Sequence, residues 1–248
     1  MVIQGDAREF VRAQAQRHAE LVASITLVLL GDERVNAAWL AGSAGRGEDD
    51  ALSDIDVVLV MAPGYEAEMA RQRFALASRV GPVALALDSP QNAPPDGAQV
   101  NVLYDLEPLP IFVDWSYWPP ISERPSDVRV LFERDSADLI TGRAYDEVTA
   151  SLPPGTGLEG TPQRRADFAL AMTPIIAKFA LRGAEDDVAR MFGYMREPPP
   201  ERTDLKSTLD ALDALTERLA ELEPAKAIAC VRRYLAMARQ YGTALIGS

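Results

Sequence analysis

A chain of 248 residues that is 48% hydrophobic and 25% charged can bury a full core without staples and does not have the composition of a disordered protein. Its formal net charge of −12, from 25 basic and 37 acidic residues, repels a phosphate backbone and disfavours general nucleic-acid binding. With one cysteine, Cys230, and one histidine, His18, an internal disulfide, a zinc cluster, a Cys-His pair and a Ser-His-Asp triad are all excluded.

Whatever chemistry occurs is left to carboxylates, hydroxyls, lysine and arginine. The charge suits a cationic small substrate or a metal-borne nucleotide. No run of about 18 apolar residues is present, and the first residues, "MVIQGDAREFVRAQ", lack a signal-peptide pattern. A cytoplasmic protein with no membrane partner is expected.

In chain order, residues 6–30 open with an acid at a helix N-cap position. They then place Phe10, Val11, Ala15, His18, Leu21, Val22 and Ile25 at three- and four-residue steps, which predicts an amphipathic helix. His18 lies near its apolar stripe and reads as a packed helical histidine. "VNAAWLAGS" predicts a buried strand breaking at Gly42, and "SDIDVVLVM" a second, β-branched strand. "YEAEMARQRFALASRVG" predicts a helix ended by Gly81. "PVALALD", "AQVNVLYD" and "LPIFVDWSYW" are three further strand-like runs, parted by turn-rich segments. "DVRVLFERD" adds one more strand, and "SADLITGRAYDEVTASL" predicts a closing helix.

The composition then changes. Residues 153–162, "PPGTGLEGTP", form a proline- and glycine-rich linker. Beyond it, helices are expected at 162–183, with a kink or break at Pro174, then from 184 up to the prolines at 198–200, at about 204–222 and at about 224–241. The expected fold class is therefore α+β: a mixed-sheet domain over 1–152, the linker, and an all-helical domain over 163–248.

Two aspartates run directly into the second strand. Alternate strand residues share a face, so Asp54 and Asp56 point the same way while Ile55, Val57 and Leu59 face the core. Like charges held that close disfavour each other's ionisation unless a cation intervenes. Magnesium takes oxygen ligands and is commonly held by one or two carboxylates plus substrate phosphates. Just upstream, Gly42 permits close backbone approach, Ser43 supplies a hydroxyl, and Arg46 carries a planar donor fork suited to phosphate. One short segment thus combines a phosphate grip with a metal grip.

The set Gly42-Ser43, Arg46-Gly47 and Ser53-Asp54-Ile55-Asp56 opening an apolar strand resembles the signature of the DNA polymerase beta-like nucleotidyltransferase superfamily. It is most similar to the small bacterial antibiotic (aminoglycoside- and lincosamide-type) nucleotidyltransferases. The likeness covers residues 35–61 strongly and the rest of the first domain loosely. It implies that Gly42 and Ser43 bind a triphosphate, with Arg46 and Ser53 beside them, that Asp54 and Asp56 hold two Mg2+ ions, and that a third acid on a neighbouring strand completes the metal site or acts as base.

Asp114 is the expected third acid, because it too is planted in an apolar run. Its rivals Asp88 and Asp105 each end a run and read as turn residues. The long interval before Asp114 implies an extra hairpin. Trp115, Tyr117 and Trp118 are either core and rim packing or a wall on which a base or sugar stacks. Lys178 and Arg182, one helical turn apart, are either a solvated helix face or, for Lys178, a phosphate contact of the kind seen in similar enzymes.

The implied activity is transfer of AMP, or another nucleoside monophosphate, from ATP or another NTP to a hydroxyl of a small molecule such as an aminoglycoside, with release of pyrophosphate. The alternatives are transfer to a protein side chain or an RNA end, and a non-catalytic nucleotide-binding or antitoxin-like module. The sequence leaves the oligomeric state open.

Overall fold

The structure, a computed structural model, describes residues 6–121, 123–134, 139–151 and 162–245. It resolves into two compact units. One comprises Met1–Arg17, Asp105–Pro110 and Gly160–Ser248, and the other His18–Tyr104 and Ile111–Glu159.

The second unit is built on a six-stranded mixed sheet. Its strands are β1 (Val35–Ala41), β2 (Ile55–Met61), β3 (Val83–Asp88), β4 (Ala98–Tyr104), β5 (Ile111–Trp118) and β7 (Arg129–Glu133), in the order β3-β4-β5-β2-β1-β7. Every neighbouring pair is antiparallel except β2 with β5, which run parallel at the centre. The hairpin implied before the third acid is β3–β4.

One face of this sheet carries Leu40, Val57, Leu59, Val113, Trp115 and Tyr117, all buried, and is met by α3 (Glu66–Ser78). There the Tyr117 hydroxyl donates to the Arg73 carbonyl and the Tyr104 hydroxyl to the Ala77 carbonyl, each at 2.8 Å. Burying each such large side chain contributes about 1.5–3 kcal/mol. Trp115 and Tyr117 are therefore core, as the packing reading of the aromatic cluster anticipates. The opposite face carries Ala37, Trp39, Ala41, Val58, Val60 and Trp118, packed by Val148 and Tyr145.

The first helix, α1 (Ala7–Leu30), begins as expected after Asp6, whose carboxylate accepts from the Arg8 amide at 3.1 Å. Its buried seam is Phe10, Gln14, His18, Leu21, Ile25 and Leu29. The seam runs at steps of four and three, and it takes in Gln14, whose Oε1 accepts from the Leu109 amide at 3.0 Å.

The closing helix expected over 136–152 is only partly present. Residues 136–138 and 152 lie outside those described. Ile140–Thr141 forms a short strand, β8, pairing parallel with β6 (Glu123–Arg124), and only Tyr145–Ala150 is helical, as α4. Gly142 continues this pairing, its amide donating to the Arg124 carbonyl at 2.8 Å, and a Cβ there would overlap the Glu123 side chain.

The helical unit contains α5 (Pro162–Leu181), α6 (Glu185–Met195), α7 (Leu205–Leu219) and α8 (Ala225–Tyr241). The expected linker lies outside the described residues apart from Pro162, which opens α5. That helix runs through Pro174 without a break. The neighbouring Thr173 hydroxyl donates to the Ala169 carbonyl at 3.0 Å in the same stretch. Asp204 caps α7 through its carboxylate, which accepts from the Ser207 amide at 2.9 Å. The fold is thus α+β, a mixed sheet followed by a helical bundle. Among the described residues no helix is long and apolar enough to cross a membrane.

Candidate active site

Asp56 and Asp114 are register partners on the parallel β2–β5 pair, which puts their attachment points about 5 Å apart on one face of the sheet. Each is the half-buried residue in an otherwise buried strand. Asp54 stands just before the ladder's first pair, Ile55 with Val113, and it too is half-buried while Ile55 between the two aspartates is buried. The alternation anticipated from sequence is therefore present.

Gly42 follows directly on β1, whose last residue Ala41 is the register partner of Asp56. It has φ of 59°, and a Cβ at this position would overlap the Asp56 carboxylate at Oδ2. Glycine is required on both counts: the left-handed backbone and the close approach. It starts a five-residue helix, α2 (Gly42–Arg46), which holds Ser43 half-exposed and ends at Gly47 with φ of 70°. Within α2, a Cβ on Gly45 would lie 2.7 Å from the Leu40 carbonyl and 2.8 Å from that of Asp127. The Asp127 carboxylate in turn accepts from the Tyr145 amide at 2.6 Å. Two short helices flanking the acids are in this way tied to one residue.

Three residues that the sequence reading did not single out join the acids. Asn101, the register partner of Asp114 on β4, donates its side-chain amide to Asp114 Oδ1. The buried Ser89 hydroxyl donates to Asn101 Oδ1. Ser89, Asn101 and Asp114 thus form a relay that fixes the rotamer of the carboxylate from three consecutive parts of the meander. Tyr145, the first residue of α4, stacks on Trp118 with ring centroids 6.0 Å apart and planes at 19°. Its hydroxyl is pushed up to about 12, mainly by burial, with the negative charges of Asp56, Asp114 and Asp146 acting the same way and a Ser116 hydrogen bond opposing them. The phenol therefore stays neutral beside the acid row.

The remaining expected site residues have other partners. Arg46 is exposed, and its Nε pairs with Glu48 at 2.7 Å, the main reason its pKa is raised. Ser53 is buried, and its hydroxyl donates to Asp50 Oδ1 and accepts from the Asp50 amide, each at 3.0 Å, closing the turn that delivers the chain to β2. Asp88 pairs with Arg73 at 2.9 Å and Asp105 with Arg233 at 2.8 Å, so each rival for the third acid already has a cation. Lys178 belongs to the helical unit and is 5% exposed, with its ammonium 5.8 Å from the Phe179 ring centroid. The solvated-face reading of this lysine fails because α5 is the central helix of its unit, in contact with α6, α7 and α8. Arg182, one turn on, is exposed.

No family model matches the chain, and no curated protein matches it. Among solved structures, the STING-associated CdnE c-di-GMP synthase from Capnocytophaga granulosa is similar over 98% of this chain and 88% of that chain, with 10% sequence identity and a TM-score of 0.33. A likeness that loose carries no argument about activity, which rests on the site itself.

Oxygen-only donors on half-buried carboxylates suit magnesium, which takes one or two carboxylates and completes its shell with water and substrate phosphate. Among the described residues no group of three or more acid, histidine or cysteine side chains is placed to hold a metal ion by itself. An open pair that a phosphate-bearing ligand completes is consistent with that arrangement.

Proposed function

We propose that this chain is a magnesium-dependent nucleotidyltransferase, moving a nucleoside monophosphate from an NTP such as ATP to a hydroxyl of a small-molecule acceptor and releasing pyrophosphate. The observation that carries the reading is the side-by-side placement of Asp56 and Asp114 on parallel strands, with Gly42 closed down on the Asp56 carboxylate. Acids on such a sheet face are costly to hold together without a cation.

In this reading Asp54 and Asp56 hold the metal, and Ser43 with the backbone at Gly42 contacts the triphosphate. When bound, magnesium screens the charge on the α-phosphate. Asp114, oriented by Asn101, takes the proton of the acceptor hydroxyl or shares in holding the ion. Tyr145 is a neutral hydrogen-bonding group at the edge of the acids. The finer assignment, AMP transfer to an aminoglycoside-like polyhydroxylated amine, draws on the sequence resemblance and on the net charge of −12, which favours cationic acceptors.

The test is incubation of the protein with each labelled NTP, magnesium and a panel of hydroxylated acceptors that includes aminoglycosides. Pyrophosphate and a nucleotidylated acceptor are expected with the unaltered chain and not with Asp56→Asn. Equal turnover by the two proteins overturns the proposal.

A further inference from the structure

A cavity of about 520 Å³ opens in the sheet unit beyond Trp118, at the far end of β5 from Asp114. Its volume falls within the range of about 300–1,000 Å³ typical of small-molecule sites. Asp114 and Trp118 are four steps apart along β5, about 13 Å of strand.

The lining is unusual in composition. Four of its residues are prolines, Pro94, Pro95, Pro119 and Pro120, which have no amide hydrogen to donate and leave carbonyl oxygens as the backbone's only polar groups. Ile121 adds half-buried apolar surface beside them, and behind this wall lie Trp118 and Val148, both buried. Such a wall accepts hydrogen bonds and packs against flat apolar groups, and it offers few donors to an anion.

The charges point the same way. Arg143 and Glu123 line the cavity together but neutralise one another: the Glu123 carboxylate accepts from the Arg143 amide at 2.8 Å and pairs with its guanidinium at 3.2 Å. Asp96 remains, and it forms no ion pair among the described residues. Its backbone is the more telling feature. Pro95 and Asp96 are the central residues of a turn closed by the Gly97 amide donating to the Pro94 carbonyl at 3.0 Å. Asp96 occupies the position that needs φ > 0, here 58°, where a type II turn ordinarily takes glycine or asparagine. An exposed carboxylate is thus held by its turn, in a left-handed conformation that aspartate tolerates, at the rim of a proline-walled cavity.

We propose that this cavity binds an organic cation carrying an apolar ring, the ring against the prolines and Ile121 and the cation at Asp96. The site is separate from the acid row and stands whether or not that row transfers nucleotides.

Benzylamine is a probe of this class, with benzyl alcohol, benzoate and methylammonium as controls lacking the cation, reversing the charge and lacking the ring. Titrations of the full chain followed by ligand-observed NMR should give binding strongest for benzylamine. Asp96→Asn, which keeps the left-handed turn, should weaken it about threefold to fivefold. Ser151→Trp, at the exposed rim of the cavity, should abolish it by filling the mouth. A double variant, Asp54→Asn with Asp56→Asn, should leave it unchanged. Absence of benzylamine binding, equal binding of benzoate, persistence in Ser151→Trp or loss in the double variant each overturns the proposal.

Discussion

Asn101 and Asp114 face each other across the antiparallel β4–β5 pair, and the amide of one holds the carboxylate of the other. A carboxylate oriented from a neighbouring strand keeps its geometry when a ligand arrives, which is the condition for acting on a single hydroxyl. Asn101→Leu should therefore lower turnover while magnesium still binds. A double-mutant cycle with Asp114→Asn should show a coupling of about 0.5–3 kcal/mol, and strict additivity would show that the hydrogen bond positions nothing.

Removing one charge from the acid row should separate activity from stability. Asp56→Asn and Asp114→Asn are expected to reduce pyrophosphate release by about a hundredfold or more. The same changes relieve like-charge repulsion, so in metal-free buffer their melting temperatures should equal or exceed that of the unaltered chain. Coincident loss of fold and turnover would assign these acids a structural role.

Gly42→Ala should damage the site through geometry alone. The position requires φ of 59°, and its Cβ would overlap Asp56. A left-handed alanine costs about 1–2 kcal/mol, which denaturant unfolding will detect. Magnesium affinity, measured by calorimetry, should fall because Asp56 must move. By contrast Gly47→Ala shares the left-handed strain with nothing within 4 Å of its Cβ, so it should lose similar stability and keep the metal affinity.

Glu223 provides a pH signature for the helical unit. It is 7% exposed, and burial together with the neighbouring Asp167 pushes its carboxyl up to about 8 from an ordinary 4.5. Because the folded state keeps a proton that the unfolded state has lost, the stability contribution is fully present below about pH 4.5 and is lost as pH rises through about 8. Glu223→Gln should flatten this dependence and raise the denaturant midpoint at pH 8 to 9. An unchanged pH profile would count against the buried acid.

Much of this site can be read from local pattern. The alternation of Asp54, Ile55 and Asp56 states which way each side chain points, and an acid inside "PIFVDWSYW" signals a partner on the same sheet face. Asn101 and Ser89 carry no such mark, because their role depends on the register of β3, β4 and β5, which no single stretch encodes. Tyr145 was hidden for a different reason. The run from 136 onward reads as one continuous helix, whereas Ile140–Thr141 pairs with Glu123–Arg124 as a strand and the helix begins only at Tyr145, the residue that stacks on Trp118. Lys178 shows the limit of helical spacing. The step to Arg182 describes a stripe on one helix, and only the company of three other helices decides that one end of the stripe is covered.

The two central strands touch in space, yet the chain leaves β2 and returns as β5 only after α3 and the β3–β4 hairpin have been laid down. A ribosome that has released the protein only as far as β4 has exposed two acids and no third. The acid row is therefore completed only when β5 has been laid down, and a truncated product carries Asp54 and Asp56 without Asp114.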